Sequence, residues 1–368
     1  MKRKKKFKKV LLLIMVVAIC IVLYFKVFAA KTGVNVIMWD NIYNENNLTF
    51  FYENSDSIDE NTKLKNLNST YNVAELISTE GSEIKKVLKT TEILNTIIEY
   101  DDVKDSLYYN GYDILKEKGV NKKTSARDMA IIERDLLLSV GIISRVGEFR
   151  KESPQFQKLP NYYVVEYWST EYNKWVMIDF LDKGYFELNN KPLSSIEVLD
   201  GDVKNLVYVG SSTQNDYRRK IKKYLNSYTI AIDNTLATKK SNSNVTYIKD
   251  SKDIDIVIKG NYIYPTIFTQ NKDLFNIAPG VEANGEDSKA YLILMKKPVN
   301  GKEEGVKFVA AAFKNGAVID ECYIKINKEA FEKVNKYKEF DLEKGENTIE
   351  LSIDGNNVID TIKINKNK

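Results

Sequence analysis

The sequence predicts an α+β fold: a mixed helix-and-hairpin domain followed by an antiparallel β-sandwich, with an N-terminal transmembrane helix ahead of both. Three observations predict it. An uninterrupted apolar run extends from Val10 to Phe25 behind a basic leader. A helix with a clear N-terminal cap near 125–141 precedes two alternating segments, 161–168 and 174–180, joined by a five-residue loop. From about residue 211 the chain turns into short β-prone runs separated by turns rich in Asn, Asp and Gly. The implied division is 1–31 for leader and anchor, 32–72 for strands or a stalk, 73–210 for the mixed domain and 211–368 for the sandwich.

The leader comes first. With Lys26 snorkelling, the apolar run reaches Ala30, close to the ~20 residues a helix needs to cross a bilayer. Lys2, Arg3, Lys4, Lys5, Lys6, Lys8 and Lys9 precede it, so the positive-inside rule keeps the N-terminus cytoplasmic and residues 32–368 extracytoplasmic. A cleavable signal peptide is the rival reading, since Val27-Phe28-Ala29 is a tolerable cleavage site and would make the protein secreted. The run is longer than the ~7–15 residues of an ordinary signal core, which favours a retained anchor. Ile19 is too large for a lipoprotein cleavage box before Cys20.

Residues 1–31 carry nine basic side chains and no acidic one, so the net charge of +4 for the whole chain becomes −5 for residues 32–368. A folded body of that sign has no basic face for nucleic acid, and none is expected as a partner. Residues 34–38 and 48–52 read as short strands between Asn-rich turns. Residues 82–100 read as a helix, because Ile84, Val87, Leu88, Thr91, Leu94 and Ile98 recur at helical spacing. A shorter helix at 112–118 ends at Gly119. In the next one, Ser125 and Asp128 form a capping-box pattern, Met129, Ile132 and Leu136 form an apolar stripe, and Gly141 stops the helix. A strand then begins at 142–148.

The hairpin 161–168/174–180 places Tyr162, Val164, Glu166 and Trp168 on one face of its first strand and Trp175, Met177 and Asp179 on one face of its second. Its register brings Tyr162 near Asp179 at the open end. Beyond 211, one helical stretch (216–226) leads into β-prone runs at 227–232, 245–248, 254–258, 290–295, 306–313 and 318–326. The tail alternates around Asp354-Gly355, a strong hairpin signal. Cys322 lies on the apolar face of 318–326 and reads as a small core residue.

Composition excludes much chemistry. Among 368 residues there is no histidine. Ser–His–Asp and Cys–His activation both need an imidazole, as do the common catalytic zinc sites. With Cys20 and Cys322 the only cysteines, no Cys₄ site or disulfide framework exists. No metal ligands and no cofactor are expected.

The segments TSARDMAIIERDLLLSVGIISRVGEF and NYYVVEYWSTEYNKWVMIDF, followed by PLSSIEV, resemble the core of the transglutaminase-like (papain-like cysteine protease) superfamily. Ala130, Gly141, Ile142, Arg145, Glu166, Trp175 and Asp179 fall in that pattern together across residues 68–200. The resemblance implies a nucleophilic Cys at the helix start, a His at the first hairpin strand and an Asp on the second. Here those positions hold Ala126, Tyr162 and Asp179. A methyl group cannot attack a carbonyl, and a phenol with a pKa near 10 is a poor base at neutral pH. Ser125 and Thr124 are no substitute, since one step along a helix start turns a side chain by about 100° and Ser125 already serves as cap.

The resemblance therefore implies a pseudoenzyme: a scaffold without its catalyst, holding an envelope peptide, protein or glycan at the bacterial cell surface. Tyr162, Glu166, Trp168, Trp175 and Asp179 are the candidate ligand-binding residues, with aromatic packing in the core as the plainer reading of the rings. Two alternatives stay open. Glu166 and Asp179 could act as a carboxylate pair on cell-wall polymers, which requires both to face one open cleft. The β-sandwich could instead be the working part, in adhesion or assembly.

Overall fold

The computed structural model describes residues 33–154, 157, 159–236, 240–256, 265–297 and 307–367. The expected membrane segment at 10–30, the signal cleavage site and Cys20 lie outside them, as does part of the run at 254–258. Among the described residues no helix is long and apolar enough to cross a membrane.

The chain opens with strand β1 (Gly33–Trp39), which is no stalk. It pairs antiparallel with the last strand of the chain, Val34 opposite Lys366 and Val36 opposite Ile364. Residues 55–72, also expected as strand or stalk, fold into helices α1 (Ser55–Glu60) and α2 (Thr62–Tyr71), and α3 (Val73–Ser78) follows them. The Asn residues that suggest turns are caps. Asn54 and Asn61 accept backbone N–H groups of the helices they start, and Asn72 ends α2 in the left-handed conformation. Helices α4 (Glu83–Ile97) and α5 (Gly111–Lys118) follow as the apolar spacing predicts.

Helix α6 (Ala126–Leu138) is the centre of this half. The Ser125 side chain accepts from the Asp128 N–H at 3.2 Å, and Gly141 turns the chain at φ +79° just past the helix. The sequence suggests an apolar stripe with one wet side; instead every residue from Asp128 to Leu138 is buried. α4 and α5 pack against the helix.

Under α6 lies a six-stranded sheet. Its strands are β2 (Ser144–Arg150), β3 (Asn161–Ser169), β4 (Lys174–Ile178), β5 (Ser227–Ala231), β6 (Asn244–Ile248) and β7 (Thr266–Thr269), in the order β7-β6-β5-β2-β3-β4. Only β6 and β7 are parallel. The runs at 227–232 and 245–248, expected in the sandwich, thus extend the hairpin's own sheet, and residue 211 marks no boundary between sheets. Their alternation is that of any half-buried strand and says nothing about which sheet accepts them. Two short helices, α7 (Ser195–Asp200) and α8 (Gln214–Ile221), lie between β4 and β5 in the chain.

The C-terminal strands are β8 (Tyr291–Lys296), β9 (Lys307–Lys314), β10 (Glu321–Ile326), β11 (Glu332–Asn335), β12 (Tyr337–Asp341), β13 (Gly345–Ser352) and β14 (Asp360–Asn367). They build two sheets, β1-β14-β13-β10-β11 and one in which β9 pairs with β8, β12 and residues 317–318. The sheets share a core containing Leu292, Phe308, Ala310, Ile324, Leu351 and Ile362. Cys322 sits in that core, 1% exposed, and burial pushes its thiol up to about 11. Gly355 turns the β13–β14 hairpin at φ +79°. β8 and β9 are buried on both faces. Leu292 and Ala310 face the sandwich core, whereas Tyr291, Ile293, Ala311 and Phe313 pack against the six-stranded sheet's own cluster.

Candidate functional site

The β3–β4 register, with Val165 opposite Ile178 and Trp168 opposite Trp175, carries Tyr162 and Asp179 to the open end of the hairpin. There the two meet. Tyr162 Oη donates a short hydrogen bond to Asp179 Oδ2. Asp179 Oδ1 accepts the N–H groups of Leu181 at 2.9 Å and Asp182 at 3.0 Å, and Lys220 Nζ stands 4.0 Å from Oδ2. The Lys220 ammonium also lies over the Tyr162 ring at 4.9 Å and the Tyr217 ring at 5.3 Å. Burial, reinforced by the charge of Asp179, holds the Tyr162 phenol well above its ordinary pKa. The group at the expected histidine position is therefore a fixed donor and cannot take up a proton as a general base does. Tyr208 and Tyr217 stack face to face beside it at 3.6 Å, and Tyr208 donates to Asp182.

Glu166 and Trp175 belong to a second, fully enclosed network. Glu166 Oε2 accepts from Arg145 Nε at 2.8 Å and from Tyr228 Oη at 2.8 Å, and Oε1 accepts from the Ser195 N–H at 2.8 Å. The Arg145 guanidinium lies 4.0 Å from the Trp175 ring centroid and donates to the carbonyl of Phe275 at 2.7 Å and to Tyr52 Oη at 3.1 Å. Trp175 Nε1 donates to the carbonyl of Ile277 at 2.9 Å. Gly147 makes room for this arrangement, because a Cβ there would stand 2.0 Å from Tyr228 Oη.

Of the five candidate ligand residues, then, Tyr162, Glu166, Trp175 and Asp179 are buried, and Trp168, edge-on to Trp175, is half-buried. They form no exposed platform. The sequence places them correctly on one face of the hairpin, but it cannot show that residues 275–277, a hundred positions away, close over that face. The carboxylate-pair alternative fails on the same observation: Glu166 and Asp179 are both 0% exposed, and neither faces an open cleft.

Ala126 opens α6 and is half-buried. Val165 and Tyr167 of β3 pack into the cluster of α6, together with the partly buried Tyr163, whereas Tyr162 and Val164 pack into the cluster on the other face of the sheet. Tyr163 also feels the charge of Arg127, the residue after Ala126, while burial raises its phenol pKa. The structure thus joins Tyr162 to Asp179 and places the neighbouring phenol, Tyr163, on the side of α6. Alternation along β3 already separates 162 from 163; the missing signal was which face meets the helix.

Elsewhere, a cavity of about 240 Å³ lies at the C-terminal ends of α4 and α5, lined by Tyr71, Ile98, Leu115, Lys118 and Lys122 among others. Among the described residues no group of three or more His, Cys, Asp or Glu side chains is arranged to hold a metal ion.

No protein-family model and no curated protein matches the chain. Among solved structures it is similar to one described as a "Putative Cysteine Protease" from Cytophaga hutchinsonii, at 13% identity and a TM-score of 0.27, over 43% of this chain and 47% of that one. It is also similar to LapG of Legionella pneumophila, at 18% identity and a TM-score of 0.23, over 43% of this chain and 95% of that one. The chain spans about half the length of the first.

Proposed function

We propose that the protein is a non-catalytic binding or scaffolding protein of the bacterial cell envelope, held in the membrane by residues 10–30 with residues 32–368 outside. It is built on a transglutaminase-like frame that has lost its nucleophile and its base. One observation carries this reading. Ala126, where the resemblance implies the nucleophile, opens α6 on one face of the sheet, while Tyr162–Asp179, where it implies the base and its orienting acid, lies on the other face, a buried phenol donating to a carboxylate whose other oxygen is taken by two backbone amides. The fixed donor at this position leaves no group poised to activate a nucleophile, and Ala126 offers none to activate.

The test is an assay of the full chain for amine incorporation into glutamine, for deamidation and for peptide cleavage. The expected result is no turnover; turnover that disappears in Asp179→Ala sinks the reading. Anchoring is tested separately by carbonate extraction of membranes, where the full chain is expected to stay in the pellet and recovery in the supernatant would count against it. Adhesion through the sandwich cannot be tested by deleting 211–368, which removes β5, β6 and β7 from the other sheet.

A further inference from the structure

A loop normally turns its polar side chains to water and anchors itself by a few apolar ones. Residues 100–109 do the reverse. Tyr100, Val103, Leu107, Tyr108 and Tyr109 are all exposed, Leu107 at 77%, within ten consecutive positions. The anchors are polar and buried. Ser106 gives its N–H to Asp128 Oδ2 at 2.9 Å and receives Arg127 Nη1 on its carbonyl at 3.1 Å. Arg134 Nη2 donates to the Tyr109 carbonyl at 3.0 Å while its Nε holds Asp135 at 2.7 Å, and Asp135 takes the Gly111 N–H at 2.6 Å. At the other end, the Asp101 N–H donates to the Thr124 carbonyl at 2.8 Å.

Two of the charged side chains buried in α6, Asp128 and Arg134, thus hold the backbone of this loop by hydrogen bonds, and Asp135 supports Arg134 and takes the N–H of Gly111 just beyond the loop. Burying charged groups to fix a loop that leaves Leu107 and Tyr108 exposed is unfavourable for the isolated fold. It becomes intelligible when a partner covers those side chains, since a pre-ordered surface loses little entropy on binding. The charge of the rim selects the partner. Asp101, Asp102 and Asp105 alternate with the apolar side chains along the loop and Lys104 is its only cation; Asp101 is paired with Lys123 at 3.3 Å, and Arg127, over the Tyr109 ring at 5.1 Å, is paired with Asp128 at 3.1 Å, so Asp102 and Asp105 set the sign of the rim. An acidic rim on a body of net −5 disfavours an anionic membrane surface and a second copy of the same body.

We propose that residues 100–109 are a docking surface for a protein segment with an apolar and aromatic centre and basic flanks. This rests on the reading of the chain as a binding protein and gives that reading a surface. It is tested with the full chain and a fluorescein-labelled peptide of Leu-Tyr-Leu flanked by arginines, beside the same centre flanked by glutamates, followed by anisotropy. The arginine-flanked peptide is expected to bind, and the glutamate-flanked one at least about tenfold more weakly. Leu107→Ser and Tyr108→Ser, both at exposed positions and checked for an unchanged melting curve, are each expected to weaken binding about tenfold or more. Asp102→Asn with Asp105→Asn is expected to narrow the difference between the two peptides and to flatten its salt dependence.

Equal binding of both peptides, or binding that ignores the Leu107 and Tyr108 changes, overturns the proposal. So does a parent dimer in sedimentation that Leu107→Ser dissolves, or flotation with phosphatidylcholine vesicles that depends on Leu107. The non-catalytic reading fails by a different readout, turnover in the amine-incorporation assay, so the two failures are distinguishable.

Discussion

The two faces of the six-stranded sheet bury carboxylates in opposite ways. On the face away from α6, Glu166 is 0% exposed and fully engaged: a guanidinium, a phenol and a backbone amide converge on its two oxygens. On the α6 face, Glu133 is also 0% exposed, but it has one partner, Thr90 Oγ1 at 2.5 Å, and its Oε2 makes no hydrogen bond among the described residues. Burial pushes the Glu133 carboxyl up to about 8, against the opposing effect of the Thr90 hydrogen bond. Burial alone therefore does not describe the setting of an acid in this protein; its partners do. Glu166 is an ion-paired clamp linking β2, β3, β5 and α7, and Glu133 is an acid that burial holds protonated at neutral pH.

The largest expected effect comes from breaking the clamp. Glu166→Ala leaves the Arg145 guanidinium buried over Trp175 with no counter-charge, and such a change costs about 3–5 kcal/mol. Urea unfolding is expected to show the midpoint falling accordingly. Replacing both partners, Arg145→Met with Glu166→Leu, is expected to recover part of that loss because no lone charge remains. A double variant no more stable than Glu166→Ala would show that Tyr228, Ser195 and Tyr52 carry the cost.

The second effect has the opposite sign. The Glu133 carboxyl titrates near 4.5 when unfolded and near 8 when folded, so its contribution to stability is fully present below about pH 4.5. It is lost as the pH rises through 8, because the unfolded chain ionises first. At pH 7 the accumulated loss is on the order of 3 kcal/mol. Glu133→Met removes the acid from this apolar site and is expected to raise stability at pH 7 by up to about that amount. Urea midpoints across pH 5 to 8 check it. The parent is expected to lose stability along that range relative to the variant, and parallel profiles would contradict the assignment.

How much of this contrast was legible in the sequence can be read from the same residues. Ser125, Gly141 and the alternation of β3 and β4 act within a few positions, so local spacing predicts the cap, the helix end and the Tyr162–Asp179 meeting. Whether Glu166 is clamped or open depends on Phe275, Tyr228 and Ser195, contacts that no local pattern encodes. The same holds for β1, whose partner is β14 at the other end of the chain, and for β5 and β6, whose alternation fits either sheet. Residues 55–72 misled for a local reason: Asn serves turns and helix caps alike, and only the packing of Leu64 and Leu67 decides between them.

Tyr162→Phe examines the site that lies between these extremes. Asp179 keeps the amides of Leu181 and Asp182 and the nearby ammonium of Lys220, so losing the phenol costs less than losing a whole ion pair. A decrease of about 1–2 kcal/mol is expected in urea unfolding. A loss as large as that of Glu166→Ala would place Tyr162–Asp179 with the clamp as a principal support of the fold.

The smallest expected effect separates α6's cap from its buried charges. Ser125 precedes the position where the resemblance implies a nucleophile, and its hydroxyl is occupied by the Asp128 N–H at 3.2 Å. The Asp128 side chain does not return to the cap; it holds Thr124 and Ser106 instead, so the capping box is only half formed. Ser125→Ala therefore removes one hydrogen bond at the helix start and is expected to cost about 1 kcal/mol. Ser125→Asp restores an acceptor at the positive end of the helix dipole and is expected to recover most of it, although Asp128 beside it limits the gain. In a Glu133→Met background the Ser125→Ala loss is expected to be unchanged, because the two residues share no partner. A loss that vanishes there would mean that strain from the buried acid reaches the helix start, and that cap and core of α6 act as one unit.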